Sequence, residues 1–374
     1  MATNGGRFLT LDVFRGLTIA FMILVNNAGN HNAVYRQLRH AKWNGFTGTD
    51  LVFPAFLVIV GIAISFTIDK LKNMEATVFF NKVLIRSFLI YAIGFIISNF
   101  PFYSYIGDDI VFAKPSDYRI FGVLQRIALT YLVTTLLAYY FSWRLIAWIG
   151  LIILLGYWPL LQFFGDFPSP LSLESNLVRK VDVYIFGERH LYQHYGVPFD
   201  PEGLVSTLPS IVTVIIGYLT GIVIKEVKQP KKIVPLLFIA SLLMIGLGYL
   251  WDTAFPINKP LWSSSYVLFS GGWSLLVLTF LFVVIDFLNF TKWSYFFEVF
   301  GKNPLFIYAL SGIAMSILHL VNFNDISLKN LIYGQLFSPY FNEKNASLMF
   351  AIVYMIVMWI VAYVMDRKKI YIKL

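Results

Sequence analysis

A chain of 374 residues with 58% hydrophobic and only 13% charged residues falls well short of the ~25% charged content of soluble domains, which excludes an ordinary soluble protein. Its formal net charge of +9 calls for no nucleic acid, because lysine and arginine gather in the cytoplasmic loops of membrane proteins. The chain has no cysteine, so disulfides, thiolate nucleophiles and Cys-ligated metals are excluded.

With a mean hydropathy of +0.71, the sequence shows repeated apolar runs of about 20 residues, the length that crosses a bilayer core. It reads as an all-α polytopic membrane protein, a single domain over 1–374. Helical spans are expected at about 8–28, 51–68, 79–98, 119–141, 144–164, 205–224, 233–251, 264–288, 303–320 and 347–365, each bounded by turn or charge signals. The first has only Arg7 as a positive flank, carries Asp12 and Arg15 and lacks a small-residue cleavage pattern; it reads as a retained span. Asp12 and Arg15, three apart, are spaced to pair with each other.

Ten spans put both termini on one side. With the termini cytoplasmic, Lys70, Lys72, Lys82, Arg144, Lys225, Lys228, Lys231, Lys232, Lys292, Lys302, Arg367, Lys368, Lys369 and Lys373 fall in short inner segments, as the positive-inside rule asks. His31, His40, His190, His194 and His319 then face outward, although loops hold more histidine than spans in any case. Any histidine chemistry would be extracytoplasmic.

The stretch from His40 to Pro54 concentrates polar chemistry, with His40, Asn44 and Asp50 just ahead of the second apolar run. Charges inside spans cost about 2.5–3.5 kcal/mol on insertion scales, so they face a cavity or a partner. Arg86 lies about one turn into the third span, where its side chain can snorkel. Arg119 and Arg126, seven apart, are expected on one face of the fourth helix, roughly 10 Å apart along its axis. Arg126 is too deep to snorkel, and Gln125 adds an amide at the same depth. Ligand contact and pairing with Asp50 or another carboxylate are both open readings of Arg126.

The outer loop 165–204 is long, yet Phe186 to His194 has no low-complexity character, so an ordered cap is expected. Asp200-Pro201-Glu202 reads as N-cap, first helical position and first-turn acid, and its two carboxylates would also attract an amine. Asn258, Lys259 and Trp262 sit in a loop fixed by Pro256 and Pro260, where the tryptophan reads as interfacial if it binds nothing. Asn303-Pro304 opens the ninth span by capping. No Walker A, Rossmann or HExxH pattern occurs. His190 and His194 have i, i+4 spacing only in a loop, and no metal is expected. Nor is there an internal repeat of the kind that marks inverted transporter halves.

Taken together, Leu11-Asp12-Val13-Phe14-Arg15-Gly16, the stretch His40 to Pro54, Arg119 to Arg126, Gly187 to His194, Asp200 to Leu204, Pro256 to Ser263 and Gly301 to Pro304 resemble the heparan-alpha-glucosaminide N-acetyltransferase family, and in particular its short bacterial-type members. The resemblance implies a transmembrane acyltransferase of a bacterial inner membrane. It would move acetyl from cytosolic acetyl-CoA to the amine of a terminal glucosamine or other amino sugar on the far side. The family's active histidine falls on His40, which would serve as general base or as transient acetyl carrier, supported by Asn44 and Asp50. Arg126, Gln125, Arg119, Arg15, Lys302 and Asn303 would then serve acetyl-CoA, and Asp200, Glu202, Asn258, Lys259 and Trp262 the acceptor. The partners implied are the sugar or glycan and the lipid bilayer, with no nucleic acid; a homodimer is compatible with the apolar late spans. The competing reading is an amino-sugar transporter that forms no bond.

Overall fold

Apolar runs bounded by Pro, Gly, Asn and Ser fold into helices along nearly the whole chain in the computed structural model, which describes residues 3–4, 7–106 and 109–372. Lys373, placed above among the inner basic residues, lies outside the described residues. In chain order the helices are α1 (Leu9–Asn26), α2 (Val52–Lys72), α3 (Ala76–Asn99), α4 (Val123–Tyr140), α5 (Trp143–Phe164), α6 (Leu177–Phe186) and α7 (Leu204–Val227). They continue with α8 (Pro230–Trp251), α9 (Ser264–Leu281), α10 (Tyr295–Lys302), α11 (Pro304–Leu320), α12 (Leu328–Leu336) and α13 (Glu343–Arg367).

Among the described residues, eight helical stretches are long and apolar enough to cross a bilayer: α1, α2 with its preceding turn, α3, α5, α7, α8, α9 with the π-helical turn Phe282–Phe287, and α13. A ninth candidate is the pair α10–α11, bent by 84°. The bend falls at Asn303–Pro304, where proline at the first helical position has no N–H to continue the preceding ladder. The fourth expected span, α4, is more polar because Gln125, Arg126, Thr130, Thr134 and Thr135 are all buried in it.

Two boundaries differ from expectation. Helix α4 begins only at Val123, after an extended Gly122, so Arg119 does not share a helical face with Arg126. Instead Asn99 grips the Arg119 backbone, its Nδ2 donating to Arg119 O at 3.0 Å and its Oδ1 accepting from Arg119 N at 2.8 Å. Helix α7 starts at Leu204 with Gly203 as its cap, so Asp200 and Pro201 precede the helix and do not cap it. The long loop 165–204 is ordered, as its composition suggested. Asn176 Oδ1 accepts from Arg179 N at 2.8 Å to start α6, which Gly187, with φ of 79°, ends.

The chain groups into two compact units. The first comprises residues 1–41, 47–52 and 277–373. Within it α1 crosses α10 at glycines on both sides: a Cβ on Gly16 would lie 1.7 Å from Phe297 O, and one on Gly301 2.1 Å from Asp12 O. The second unit comprises 42–46 and 53–276. Here α2 and α7 meet in the same way, with a Cβ on Gly61 falling 2.0 Å from Val214 O and one on Gly217 2.0 Å from Val58 O. One core of this unit is formed by Tyr157, Leu161, Val178, Phe199, Phe255 and Leu261.

Such backbone contact leaves no room for a methyl group. Gly217→Ala should therefore destabilise the protein by about 1–3 kcal/mol through forced separation of the helices. Gly246→Ala, where a Cβ would meet nothing within 4 Å, should be neutral or slightly stabilising. Thermal unfolding of the two variants in one detergent checks the pair; equal melting points would contradict the close crossing.

Candidate functional site

In the first unit, the segment leading into α2 folds around one carboxylate. Thr47 and Asp50 form a reciprocal capping box, the arrangement that satisfies free N–H groups where a helix begins. Asp50 Oδ2 accepts from Thr47 N at 3.0 Å, Thr47 Oγ1 at 3.0 Å and Ala41 N at 3.1 Å. Its other oxygen, Oδ1, lies 2.6 Å from His40 Nδ1. Asp50 is 1% exposed, whereas the His40 side chain is 50% exposed. A carboxylate only accepts, so Nδ1 carries the proton and donates it. That assignment leaves Nε2 of a neutral imidazole with its lone pair, the chemistry of a base or nucleophile.

The residues expected on the inner side of this unit are held by protein groups. Arg15 Nη1 lies 3.1 Å from Asp12 Oδ1 and donates to Gly301 O at 3.3 Å. Lys302 sits between Glu298 at 3.0 Å and Asp366 at 2.9 Å. The Asn303 side chain ties down the chain end, donating to Ile370 O and accepting from Ile372 N, both at 2.9 Å.

The second unit holds a denser cluster. Arg119 makes a two-pronged contact with Asp200, Nε to Oδ2 and Nη2 to Oδ1 at 2.8 Å each, and reaches Glu202 Oε2 at 2.7 Å. Its guanidinium lies 4.6 Å from the centre of the Tyr192 ring. Asp200 is fully buried and Glu202 nearly so. The paired acids thus neutralise an arginine, a firmer role than the capping expected of them.

Arg126 is completely buried. Nη2 donates to Gly203 O at 3.2 Å and to Ser206 Oγ, and the guanidinium packs 4.9 Å from the centre of the Trp262 ring. Its Nε and Nη1 have no protein partner, and neither amide atom of the adjacent Gln125 has one. Buried donors left open are rare in folded proteins and mark a place where a ligand or water completes the set. Trp262, read as interfacial, is instead fully buried; its Nε1 donates to Thr213 Oγ1 at 3.1 Å and its edge meets Phe53 and Tyr266. Arg86 also stays inside rather than snorkelling, 4.8 Å over the Tyr131 ring.

The loop 256–263 presents Asn258 through its own turn. Asn258 Oδ1 accepts from Leu261 N at 2.7 Å and Nδ2 donates to Asn44 Oδ1 at 3.0 Å, so two of the expected residues meet directly. Lys259 is half-buried in the same loop. His190 Nδ1 donates to Tyr118 O at 2.7 Å, and His194 stacks on Tyr192.

One residue escaped the sequence reading. Asp182, on α6, is fully buried; Oδ1 accepts from Leu204 N at 3.0 Å while Oδ2 has no partner. Burial pushes its carboxyl up to about 7, with Asp200 adding and the Leu204 N–H and Arg126 opposing. The only trace in sequence is an acid in the middle of a short amphipathic helix. Because its folded pKa lies above the unfolded value, the native state binds the proton more tightly, and the stabilisation by protonation present near pH 4 is lost as pH rises toward 7. Melting temperature should fall over that window, and Asp182→Asn should flatten the profile. An unchanged profile in the variant would assign the pH dependence elsewhere.

Comparison with known proteins adds three findings. The family model described as heparan-alpha-glucosaminide N-acetyltransferase, catalytic, matches residues 7–246. The heparan-alpha-glucosaminide N-acetyltransferase of Mus musculus is 29% identical over 361 residues, covering 82% of this chain and 53% of the relative. The Homo sapiens protein of the same name is 29% identical over 357 residues, 81% of this chain and 52% of its own. The chain thus spans about half the length of the curated relatives it matches. His40, Asp50, Arg119, Arg126, Asp182, Asp200 and Glu202 fall inside the matched 7–246, whereas Asn258, Lys259, Trp262, Lys302 and Asn303 fall beyond it.

Proposed function

Since the chain belongs to the heparan-alpha-glucosaminide N-acetyltransferase catalytic family, we propose that it is a membrane acetyltransferase that moves acetyl from cytosolic acetyl-CoA to the amine of a glucosamine-type sugar on the extracytoplasmic side. The observation that carries the reading is the 2.6 Å contact between His40 Nδ1 and Asp50 Oδ1, which puts the proton of the neutral ring on Nδ1 and its lone pair on Nε2. In the direct route the sugar nitrogen attacks the thioester carbonyl, a C–N bond forms and the C–S bond breaks. His40 Nε2 takes the proton released from nitrogen and returns it to the departing thiolate. In the two-step route Nε2 itself attacks the thioester and expels the CoA thiolate; the sugar amine then attacks the acetyl carbon, a C–N bond to the sugar forms, the acetyl–Nε2 bond breaks, and the released imidazole takes the amine proton. Both routes need the same tautomer.

Arg126 Nε and Nη1 with the Gln125 amide suit a ligand rich in acceptors, such as the carbonyl and amide oxygens of acetyl-CoA. Arg119 serves there by holding Asp200 and Glu202 in place. For the acceptor, the open Asp182 Oδ2 has the chemistry to take a hydrogen bond from an ammonium group, in the same unit as Asn44, Asn258 and Lys259, while Trp262 supports Arg126. Arg15, Lys302 and Asn303, engaged by protein groups, brace the inner side rather than hold phosphate. In this reading the termini are cytoplasmic, the membrane is a bacterial inner membrane, 1–374 works as one acyltransferase domain, and the chain pairs as a homodimer.

Purified protein in lipid, supplied with labelled acetyl-CoA and glucosamine, tests the reading. Label should appear in N-acetylglucosamine, and CoA should raise the melting temperature by mass action. Sugar binding with neither transfer nor a CoA-dependent shift would replace this reading with the transporter.

A further inference from the structure

Arg86, which stays inside rather than snorkelling, sits at the seam between α3 and α4 of the second unit. Contacts along the seam fix the register of the two helices: the Phe79 ring stacks on Tyr139 at 3.9 Å, the Arg86 guanidinium lies 4.8 Å over Tyr131, and a Cβ on Gly94 would meet Leu124 Cβ at 2.7 Å. The helices therefore run antiparallel. Ser87 follows Arg86 on the buried stripe Val83, Ser87 and Ile90, while Thr134 and Thr135 lie one turn from Tyr131 toward Tyr139. All three hydroxyls thus fall within about 6 Å of the guanidinium's level along the helix axes.

This layer is rich in donors and poor in anions. Arg86 Nε, Ser87 Oγ, Thr134 Oγ1 and Thr135 Oγ1 are buried and have no protein partner among the described residues. Hydroxyls inside helices commonly bond back to the carbonyl one turn earlier, as Thr130 Oγ1 does to Arg126 O at 2.8 Å; these three keep their O–H groups free. Neither α3, α4 nor α5 contains an aspartate or glutamate. A charge within a membrane span calls for a partner, and these helices supply no carboxylate for it. Hydroxyl and guanidinium donors converging beside a cation suit the oxygens of a phosphate.

What the phosphate is attached to follows from exposure. Leu84, Ile85, Phe88 and Leu89, on either side of Arg86, are 38–68% exposed on a helix long and apolar enough to cross a bilayer, so the flanks of the seam face acyl chains. Arg86 itself is only half-buried and can be approached from the lipid. Lys82, exposed and four residues earlier, lies on the same helix face one turn nearer the end of α3. Basic pockets between membrane helices are where acidic headgroups bind. We propose that the seam between α3 and α4 binds the headgroup phosphate of an anionic phospholipid. Arg86 and the hydroxyls of Ser87 and Thr135 hold the phosphate oxygens, and Lys82 faces the outer side of the headgroup. A zwitterionic lipid would set its own cation against Lys82 and is disfavoured. The proposal is independent of the acetyl-transfer reading.

The test uses the full chain in phosphatidylcholine nanodiscs with increasing fractions of phosphatidylglycerol of the same acyl chains, followed by thermal unfolding. Melting temperature should rise with the phosphatidylglycerol fraction, since a ligand of the folded state stabilises it by mass action. The fraction giving half the rise should increase about tenfold in Arg86→Gln and about threefold in Thr135→Val, which keeps the buried shape and loses one hydroxyl. Lys368→Gln combined with Lys369→Gln removes two exposed charges elsewhere and should leave it unchanged. No rise in the wild-type chain, no change in Arg86→Gln and Thr135→Val, the same loss in the Lys368 and Lys369 variant, or a rise reproduced by inorganic phosphate in pure phosphatidylcholine overturns the site. If Arg86→Gln does not fold, native mass spectrometry decides: phosphatidylglycerol retained by the wild-type chain and lost from Thr135→Val supports the site, and equal retention overturns it. A CoA-dependent shift that weakens in Arg86→Gln while the phosphatidylglycerol rise persists assigns the seam to a nucleotide phosphate and also overturns it.

Discussion

Asp50→Asn should lower acetyl transfer by about 10³-fold while the protein stays folded. An asparagine retains one acceptor oxygen, enough for the Thr47 and Ala41 N–H groups that Asp50 Oδ2 now serves at 3.0 and 3.1 Å, and asparagine caps helices about as well as aspartate. The group facing His40 Nδ1 would then be an NH2 donor, and two donors cannot share a bond. The imidazole has to move its proton to Nε2, which removes the lone pair that both routes require. Losing a positioned base costs about 10²–10⁴ in rate, and His40→Ala should fall in the same range. The double variant should be no slower than His40→Ala alone, because residues that act as one unit are not additive. Single-turnover rates and melting curves on the three variants decide it. A loss of less than tenfold in a folded Asp50→Asn protein would remove the pair from the chemistry.

Much of this arrangement was legible because it is local. His40 and Asp50 are ten residues apart, and the Thr47 to Asp50 spacing announces a helix start, so the carboxylate's place follows from capping. The helical layout was legible from hydropathy for the same reason. Arg119 shows where that reasoning stops. Its seven-residue spacing from Arg126 looks helical, but Asn99 holds its backbone in an extended run before α4 begins, a contact from another helix that periodicity cannot register. Asp200 has the N-cap pattern, yet the part-buried Arg119 outcompetes the helix terminus for its oxygens. Trp262 beside two prolines suggests an interface, and only the packing of Phe53, Tyr266 and Arg126 around it reveals that it is interior. Asp182 was silent because a single acid on a short amphipathic helix looks the same whether its face meets solvent or protein.

The charge cluster of the second unit makes the largest expected difference to stability. Arg119→Ala would leave Asp200, fully buried, and Glu202, nearly so, without the three hydrogen bonds of 2.7–2.8 Å that now offset their removal from water. Removing one partner of a buried pair costs about 3–5 kcal/mol, since the penalty is that of the stranded charge rather than of the lost attraction. The distinction can be measured. If stranded charge is the cause, Arg119→Met combined with Asp200→Asn and Glu202→Gln should recover most of the loss, because neutral groups of similar shape carry little desolvation penalty. Thermal unfolding of the single and triple variants in lipid separates the cases. If the triple variant is as unstable as Arg119→Ala, the guanidinium acts through packing against Tyr192, 4.6 Å from its ring centre, and the cluster is a matter of shape more than of charge.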